Sequence, residues 1–285
     1  MIRITECPRD AMQGIKQQIP AELKAGYINQ LLKVGFDTID FGSFVSPKAI
    51  PQMQDTAQVL KQLNLSGSKS KLLAIIANAR GAQDACAFEE ITYLGFPFSI
   101  SETFQQRNTN SSIMESLDRV KEIQELSVKH NKKLLIYISM AFGNPYGDAW
   151  HADIAVDWCR KLSALGIADI ALADTTGSSE PDSIKQLFTT LLPELKNVRL
   201  GAHLHSTPEK SREKIKAAYD SGCRNFDVAI HGFGGCPMAA DDLTGNIATE
   251  ALENFMTENQ LELGLNKEEL YKAYEQSWSI FNNFH

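Results

Sequence analysis

Short apolar segments alternate along the chain with longer stretches in which apolar residues recur at helical spacing. Ile113, Leu117, Val120 and Ile123 show that helical spacing most clearly. The apolar segments predict eight strands, at Arg3–Thr5, Thr38–Phe41, Leu72–Ala77, Glu90–Gly95, Leu134–Ser139, Asp169–Ala173, Arg199–His203 and Asn225–Ala229. The stretches between them predict helices, at Pro20–Val34, Met53–Leu63, Ser112–Asn131, Ala152–Leu165, Ser183–Leu191 (before Pro193) and Ser206–Asp220.

This alternation predicts an α/β fold, a (β/α)8 TIM barrel with an additional C-terminal helical segment. Residues 1–285 then form a single catalytic barrel domain, and residues 250–285 are a helical extension packed on the barrel. An open doubly wound sheet is the alternative, but the GxGxxG fingerprint of that fold is missing after the first strand.

Composition narrows the class of protein. The chain has 285 residues, of which 43% are hydrophobic and 22% charged, as in soluble globular proteins. Its net charge of −7 and the lack of a basic run argue against a nucleic-acid partner. No apolar run approaches a membrane span, and the first residues resemble neither a signal nor a transit peptide. We therefore expect a cytoplasmic protein with no membrane partner.

In a TIM barrel the active site lies at the carboxyl ends of the strands, so the polar residues that follow each strand are the candidates. Such residues follow the first, second, third, sixth and seventh predicted strands, namely Arg9, Asp10, Gln13, Asp40, Ser43, Asn78, Arg80, Asp174, His203 and His205. Polar residues also follow the fourth and fifth predicted strands, and the eighth leads into the segment from His231 to Glu250. Eight polar strand ends that converge are more than solvation requires.

His203 and His205 form an HxH pair, and alternate residues of a strand point to one face. Two strand-end histidines that only bond to their neighbours are the alternative interpretation. Asp10 can add a carboxylate, because only the eighth strand separates the first from the seventh, and Asn246 can add an amide oxygen. This mixed nitrogen and oxygen set suits a divalent cation, Mg²⁺ or Mn²⁺, with Zn²⁺ or Co²⁺ also possible.

The segment from His231 to Glu250 is dense in glycine and carries Cys236. Glycine lets the backbone adopt positive φ or approach a ligand closely, so a loop of this kind can bring a thiol to a reaction centre. The alternative is a flexible connection with an incidental cysteine. The five cysteines are scattered without CxxC spacing, which argues against a disulfide framework or a cysteine zinc site.

Five segments resemble, in order, the 3-hydroxy-3-methylglutaryl-CoA lyase family: ECPRDAMQ, FVSPKAIPQM, ADTTG, HLH and GGCPMAADDLTGNIATE. The resemblance implies divalent-metal-dependent cleavage of an acyl-CoA substrate, 3-hydroxy-3-methylglutaryl-CoA, to acetyl-CoA and acetoacetate by a homodimer. It implies Asp10, His203, His205 and Asn246 as metal ligands. It also implies catalytic roles, with Arg9 stabilising the enolate oxygen, Cys236 donating the proton, His203 moving a proton, and Asp174 assisting at the substrate hydroxyl.

The sequence departs from this family at several points. Asp40 stands where the family usually has Glu, and Ser206 follows the HxH where an Asp is common. Candidate substrate and CoA contacts are Arg9, Gln13, Ser43, Lys48, Asn78, Arg80 and Arg107. Two alternatives stay open: a related lyase, aldolase or condensing enzyme acting on another 3-hydroxyacyl-CoA or 2-oxo acid, and a non-catalytic acyl-CoA-binding barrel.

Overall fold

Eight parallel strands close into a barrel in chain order in the computed structural model, which describes residues 2–235 and 244–284. Arg3 to Glu6 of the first strand pair with Asn225 to Val228 of the last, which confirms the closed barrel and excludes the open sheet. The strands are β1 Arg3–Glu6, β2 Thr38–Ser43, β3 Lys71–Ile75, β4 Ile91–Ser99, β5 Lys133–Ser139, β6 Asp169–Asp174, β7 Arg199–Leu204 and β8 Asn225–Val228.

Helices surround this barrel and bury their apolar faces against it. They are α1 Pro8–Gln13, α2 Ala21–Val34, α3 Thr56–Leu60, α4 Ala79–Cys86, α5 Glu102–Thr109, α6 Ile113–Lys129, α7 Ala152–Ala164, α8 Pro181–Glu194, α9 Pro208–Asp220, α10 Thr249–Glu258 and α11 Lys267–Asn283. Short 3-10 turns lie at Pro51–Met53 and Ile230–Gly232. Among the described helices, none is long and apolar enough to cross a membrane.

The helical periodicity of the sequence has a direct counterpart in α6. Val120 and Ile123 are fully buried on its inner face, and Ser112 and Glu115 close its amino end as a reciprocal capping box. The C-terminal segment is helical, as predicted, and it packs on the barrel's helical layer. There the ring of Phe281 in α11 meets the ring of Tyr27 in α2 edge-on, with 6.3 Å between ring centroids.

Two predicted helix boundaries were wrong. The region 53–63 forms the turn Pro51–Met53 and the short helix α3, because Asp55 adopts a non-helical conformation between them. Helix α8 runs through Pro193 to Glu194. A proline in the last turn removes only one backbone donor, so it does not force the helix to end before it.

Candidate active site

The β1 and β2 side of the barrel mouth is built around the buried side chain of Arg9. Helix α1 begins directly after β1 and carries Arg9, Asp10 and Gln13 inward over the strand ends. The Arg9 Nη1 donates to Asp10 Oδ1 at 3.0 Å and to Gln13 Oε1 at 2.9 Å. Gln13 Nε2 donates in turn to Asp10 Oδ1 at 2.7 Å, so these three side chains hold one another.

Asp40 reaches Arg9 even though its side chain is one methylene shorter than glutamate. Arg9 Nε lies 3.2 and 3.0 Å from the two Asp40 oxygens, and Nη2 lies 2.6 Å from Oδ2. The register of β2 against β3 shifts between Asp40 and Gly42, and such a bulge re-aims the side chains beside it. Two-point contact between guanidinium and carboxylate fixes the plane of the Arg9 head group.

The β7 and β8 side contributes imidazoles and an amide. His203 and His205 bring their Nε2 atoms within 3.3 Å of each other, and His203 Nδ1 lies 3.2 Å from Asp227 Oδ2 of β8. Ligand atoms of Asp10, His203 and His205 all lie within 4.8 Å of one another, and all three residues are buried. The structure therefore brings together three of the four side chains that the sequence predicts as metal ligands.

Asn246, the fourth predicted ligand, joins this group from the return of the glycine segment. Its Nδ2 donates to Asp10 Oδ2 at 2.6 Å and to the carbonyl of Phe233 at 3.0 Å. Gly234, at φ +116°, passes so close that a Cβ there would overlap the Asn246 amide and lie 2.9 Å from Asp10 Oδ2. Glycine is needed at this position both for its backbone conformation and for its close approach.

The charges around Asp10 set the protonation of the site. Burial alone would raise the pKa of Asp10, but Arg9 and the two histidines outweigh it and lower that pKa to about 2. Burial and the neighbouring His203 lower the pKa of His205 to about 4. At neutral pH Asp10 is therefore an anion and His205 a neutral imidazole, the forms in which both bind metal.

Neighbouring charges oppose the effect of burial on the pKa of two further groups, His203 and Asp40. Burial lowers the pKa of His203, but the Asp227 carboxylate outweighs burial and the pKa is raised. For Asp40, burial raises the pKa to about 6, although Arg9 partly opposes it. A carboxylate bonded to the outer nitrogen of a metal-binding histidine fixes the ring and its tautomer, so Asp227 suits that role.

A divalent cation fits the side chains present here. Four buried side-chain polar atoms of the described residues have no hydrogen-bond partner, and three of them belong to this site: His205 Nδ1, Asn246 Oδ1 and the Tyr137 hydroxyl. Asn246 Oδ1 is the one nearest the ligand group, since the same amide bonds to Asp10. An unpaired buried acceptor is costly, so this oxygen points to a missing partner. A carboxylate, two imidazoles and an amide oxygen are suitable ligands for a divalent metal.

A cavity of about 130 Å³ opens above this group. Its polar wall includes Gln13 and Ser43, as the sequence predicts, together with Arg9, Asp10 and the two histidines. The cavity also has an apolar wall, formed by β3, β4, α5 and the loops after β2 and β3, with Val45, Ala49, Ile50, Ile75, Ala77, Pro97 and Phe104. The site therefore combines one charged wall with one hydrophobic wall, as small-molecule pockets do.

Four predicted substrate contacts do not line this cavity. Lys48 and Arg80 are exposed to solvent, and exposed Arg107 lies over the ring of Tyr146 at 4.7 Å. The Asn78 side chain accepts from Gly81 N at 2.9 Å and caps α4. Strand-end position alone does not say whether a side chain turns inward or caps the next helix, which is why the sequence grouped these four with the others.

Asp174 and Cys236 are the two remaining residues that the sequence predicts to be catalytic. The structure places Asp174 behind the cavity wall, where its carboxylate accepts from Ser179 Oγ at 2.5 Å and from Lys214 Nζ at 2.9 Å. Both Asp174 and Lys214 side chains are 1% exposed. Cys236 lies outside the described residues, so its predicted role as proton donor stays a prediction.

Sequence reasoning missed three residues of this region: Tyr137, Asp227 and Lys214. Tyr137 and Asp227 stand inside predicted strands, and a polar residue among buried strand positions was the available signal. The Tyr137 ring meets His203 edge-on at 5.3 Å between centroids. Glu6, at the end of β1, lies outside the barrel lumen, where its carboxylate accepts from Ile230 N at 2.8 Å and from Thr249 Oγ1 at 2.6 Å.

Comparisons with known proteins agree with this geometry. The model of the HMGL-like family matches residues 2–276. The chain is 32% identical over 278 residues to a cytoplasmic 3-hydroxy-3-methylglutaryl-CoA lyase of Rattus norvegicus, covering 96% of this chain and 78% of the relative. It is also 32% identical over 284 residues to a 3-hydroxy-3-isohexenylglutaryl-CoA/hydroxymethylglutaryl-CoA lyase of Pseudomonas aeruginosa, covering 98% and 92%.

Solved structures give the same answer. An HMG-CoA lyase from Acinetobacter baumannii, in complex with coenzyme A and 3-methylmalate, superposes with a TM-score of 0.92 at 29% identity, covering 99% of this chain and 92% of that one. The hydroxymethylglutaryl-CoA lyase of Pseudomonas aeruginosa gives 0.90 at 30% identity, covering 98% and 93%. Fold and site together define a TIM-barrel carbon–carbon lyase. The chain belongs to the HMGL-like family.

Proposed function

We propose that this enzyme cleaves 3-hydroxy-3-methylglutaryl-CoA into acetoacetate and acetyl-CoA with the help of a divalent cation, Mg²⁺ or Mn²⁺. The observation that carries the proposal is the convergence of Asp10, His203 and His205 within 4.8 Å at the floor of a cavity that Arg9 also lines. With Asn246, these residues would hold the cation. A cation bound there would polarise the substrate's hydroxyl and carboxylate oxygens.

The chain's own side chains then transfer the protons and stabilise the enolate. A base at His203 takes the tertiary hydroxyl proton, the C2–C3 bond breaks, and the alkoxide becomes the ketone of acetoacetate. Negative charge moves to the thioester oxygen, where the Arg9 guanidinium stabilises it. Cys236 delivers the proton that converts the enolate into acetyl-CoA. Asp174 supports the floor indirectly, since its oxygens bond to Ser179 and Lys214.

The polar contacts leave a clear place for the acyl group. The Tyr137 hydroxyl is buried without a hydrogen-bond partner in the described chain, so it is free to donate to a substrate oxygen. Gln13 and Ser43 line the same wall. Lys48, Arg80 and Arg107 stand outside the cavity and exposed to solvent, where they suit the phosphates of CoA better than the acyl group.

We further propose that the enzyme is cytoplasmic and acts as a homodimer.

An assay on metal-stripped protein tests the proposed lyase activity. We expect acetoacetate and acetyl-CoA to form when Mg²⁺ or Mn²⁺ is added, and Cys236→Ala to abolish turnover while leaving metal binding intact. Normal turnover by Cys236→Ala would remove the thiol from the mechanism. Cation binding without turnover of any 3-hydroxyacyl-CoA would favour the non-catalytic barrel.

The apolar wall favours a second candidate substrate. Ile50, Ile75, Pro97 and Phe104 line the side of the cavity that faces away from the charged groups. One relative at 32% identity is named for a substrate with an isohexenyl group at C3. A substrate with a longer C3 alkyl group would bury more apolar surface here, at about 0.8 kcal/mol per CH₂. Comparing kcat/KM for C3-methyl and longer C3-alkyl thioesters decides between the two.

A further inference from the structure

Lys214 is a buried cation beneath the candidate metal centre, on the helix that follows β7. Throughout α9, all of which the structure describes, the other lysine and arginine side chains point outward. Lys210, Arg212 and Lys216 are 52%, 60% and 61% exposed, and they pair with surface acids. The Lys214 side chain is 1% exposed.

The ammonium group of Lys214 joins three separate segments. It donates to Asp174 Oδ2 at 2.9 Å, to the Gly177 carbonyl at 2.9 Å and to the His205 carbonyl at 2.8 Å. An ammonium has three donors, so these acceptors use all of them. One side chain therefore ties the end of β6, the loop after β6 and the residue after β7 to helix α9.

His205 is the residue for which this arrangement matters most. Its backbone bridges to Asn246, the following amide of Ser206 donates to Gly245 O at 2.9 Å, and its carbonyl is held by Lys214. The ring that this backbone carries lies with Nε2 3.3 Å from His203 Nε2. The direction of the imidazole therefore depends on how firmly the backbone at His205 is fixed.

Stability alone is a weak reason for a buried ion pair. Desolvation of the two charges offsets much of their attraction, and apolar replacements are often as stable. We propose that Lys214 is a positioning residue for the metal centre, which fixes the backbone of His205 so that its ring faces Asp10 and His203. This rests on the proposed metal ligands, because a positioned ligand needs a cation to bind.

The test measures Mn²⁺ affinity from the electron paramagnetic resonance signal of the free ion, at a temperature where circular dichroism shows every variant folded. Lys214→Met should weaken Mn²⁺ binding by about 10-fold or more, the range expected for outer-shell partners. The double variant Asp174→Asn with Lys214→Met restores the buried charge balance but leaves the His205 carbonyl unheld, so it should stay weakened. Lys216→Met, on the exposed face of the same helix, should match the wild type.

Two results would overturn the proposal. Wild-type affinity in the folded Lys214→Met variant would overturn the proposal. Wild-type affinity in the double variant alone would also overturn it, because Lys214 would then only neutralise Asp174. If Lys214→Met fails to fold, the charge-balanced double variant carries the test. Failure of the metal site itself is separate: wild-type protein would then bind no Mn²⁺, or His205→Ala would bind it as tightly as the wild type.

Discussion

The two sides of the barrel mouth differ in how their polar groups are paired. On the β1 and β2 side, Arg9 bonds to Asp40, Asp10 and Gln13, and those three acceptors are used within the protein. On the β7 and β8 side, Asn246 Oδ1 is buried without a partner in the described ranges. The first side is a preformed electrostatic wall, while the second is built to receive a ligand.

The two sides should therefore respond differently to mutation. Preformed donors stabilise developing charge without reorganising during the reaction. Unpaired acceptors cost folding free energy until something binds them. Mutations of Arg9, Gln13 and Asp40 on the first side should therefore change the rate. Mutations on the second side, and of the proposed ligand Asp10, should change affinity for the cation.

Arg9→Met should have the largest effect on activity. Loss of one preorganised donor typically lowers kcat by about 10²–10³-fold. It also leaves Asp10 and Asp40 buried without their cation, which costs roughly 3–5 kcal/mol. Steady-state kinetics and thermal unfolding measure the two effects, with Arg212→Met as the matched control, since that side chain is 60% exposed on the outer face of α9. A kcat within threefold of the control would mean that Arg9 does not stabilise the transition state.

His205→Ala should weaken Mn²⁺ binding by more than the roughly 10–100-fold that loss of an outer-shell partner costs, because a direct ligand is lost. Titration of free Mn²⁺ measures the change. His151→Ala is the control, since its side chain is 63% exposed. An affinity equal to that of the control would take His205 out of the ligand set.

Glu6 joins the two sides from outside the barrel lumen, and it should give the protein a pH-dependent stability. Burial raises its pKa from 4.5 to about 8, against the hydrogen bonds from Thr249 and Ile230. Since the folded pKa is the higher one, its contribution to stability is present below about pH 4 and is lost as pH rises towards 8. Glu6→Gln should therefore gain stability relative to wild type between about pH 5 and pH 8.5, by on the order of a few kcal/mol.

The melting temperatures of both proteins, followed across that pH range, check the prediction for Glu6. The difference between variant and wild type should grow steadily with pH. A difference that stays constant, or that shrinks as pH rises, would show that Glu6 is not a buried acid with a raised pKa.

Asp40→Glu should have the smallest effect and sharpens the comparison on the first side. Asp40 already contacts Arg9 with both oxygens and is 1% exposed, so an extra methylene has little room. Overpacking of this kind costs roughly 1–3 kcal/mol, and we expect no gain in kcat. Kinetics and thermal unfolding measure both. A large gain in kcat would mean that the shorter acid limits the reaction.

The sequence predicted the barrel well because short segments with buried apolar residues alternate with long helices that repeat their apolar positions. The ligands were also predictable, since HxH spacing on a strand places both rings on one face. The short helices α1, α4 and α5 were missed, because six to eight residues hold too few turns to show a period.

Side-chain direction was the part that the sequence left open. Asn78 turned back to cap a helix, and Asp174 turned away from the cavity towards Lys214. Lys214 itself lies in a run of charged residues that looks like a solvated helix face. Its burial follows from the way α9 packs across the ends of β6 and β7, which is a long-range property that local spacing does not encode.

The central claim is that the two sides of the mouth close on one cation. Anomalous diffraction at the manganese edge, from crystals grown with Mn²⁺, tests it most directly. We predict one strong peak at about 2.0–2.4 Å from the ligand atoms of Asp10, His203, His205 and Asn246. A peak elsewhere in the molecule, or a well-occupied crystal with no peak at these four residues, would contradict the account.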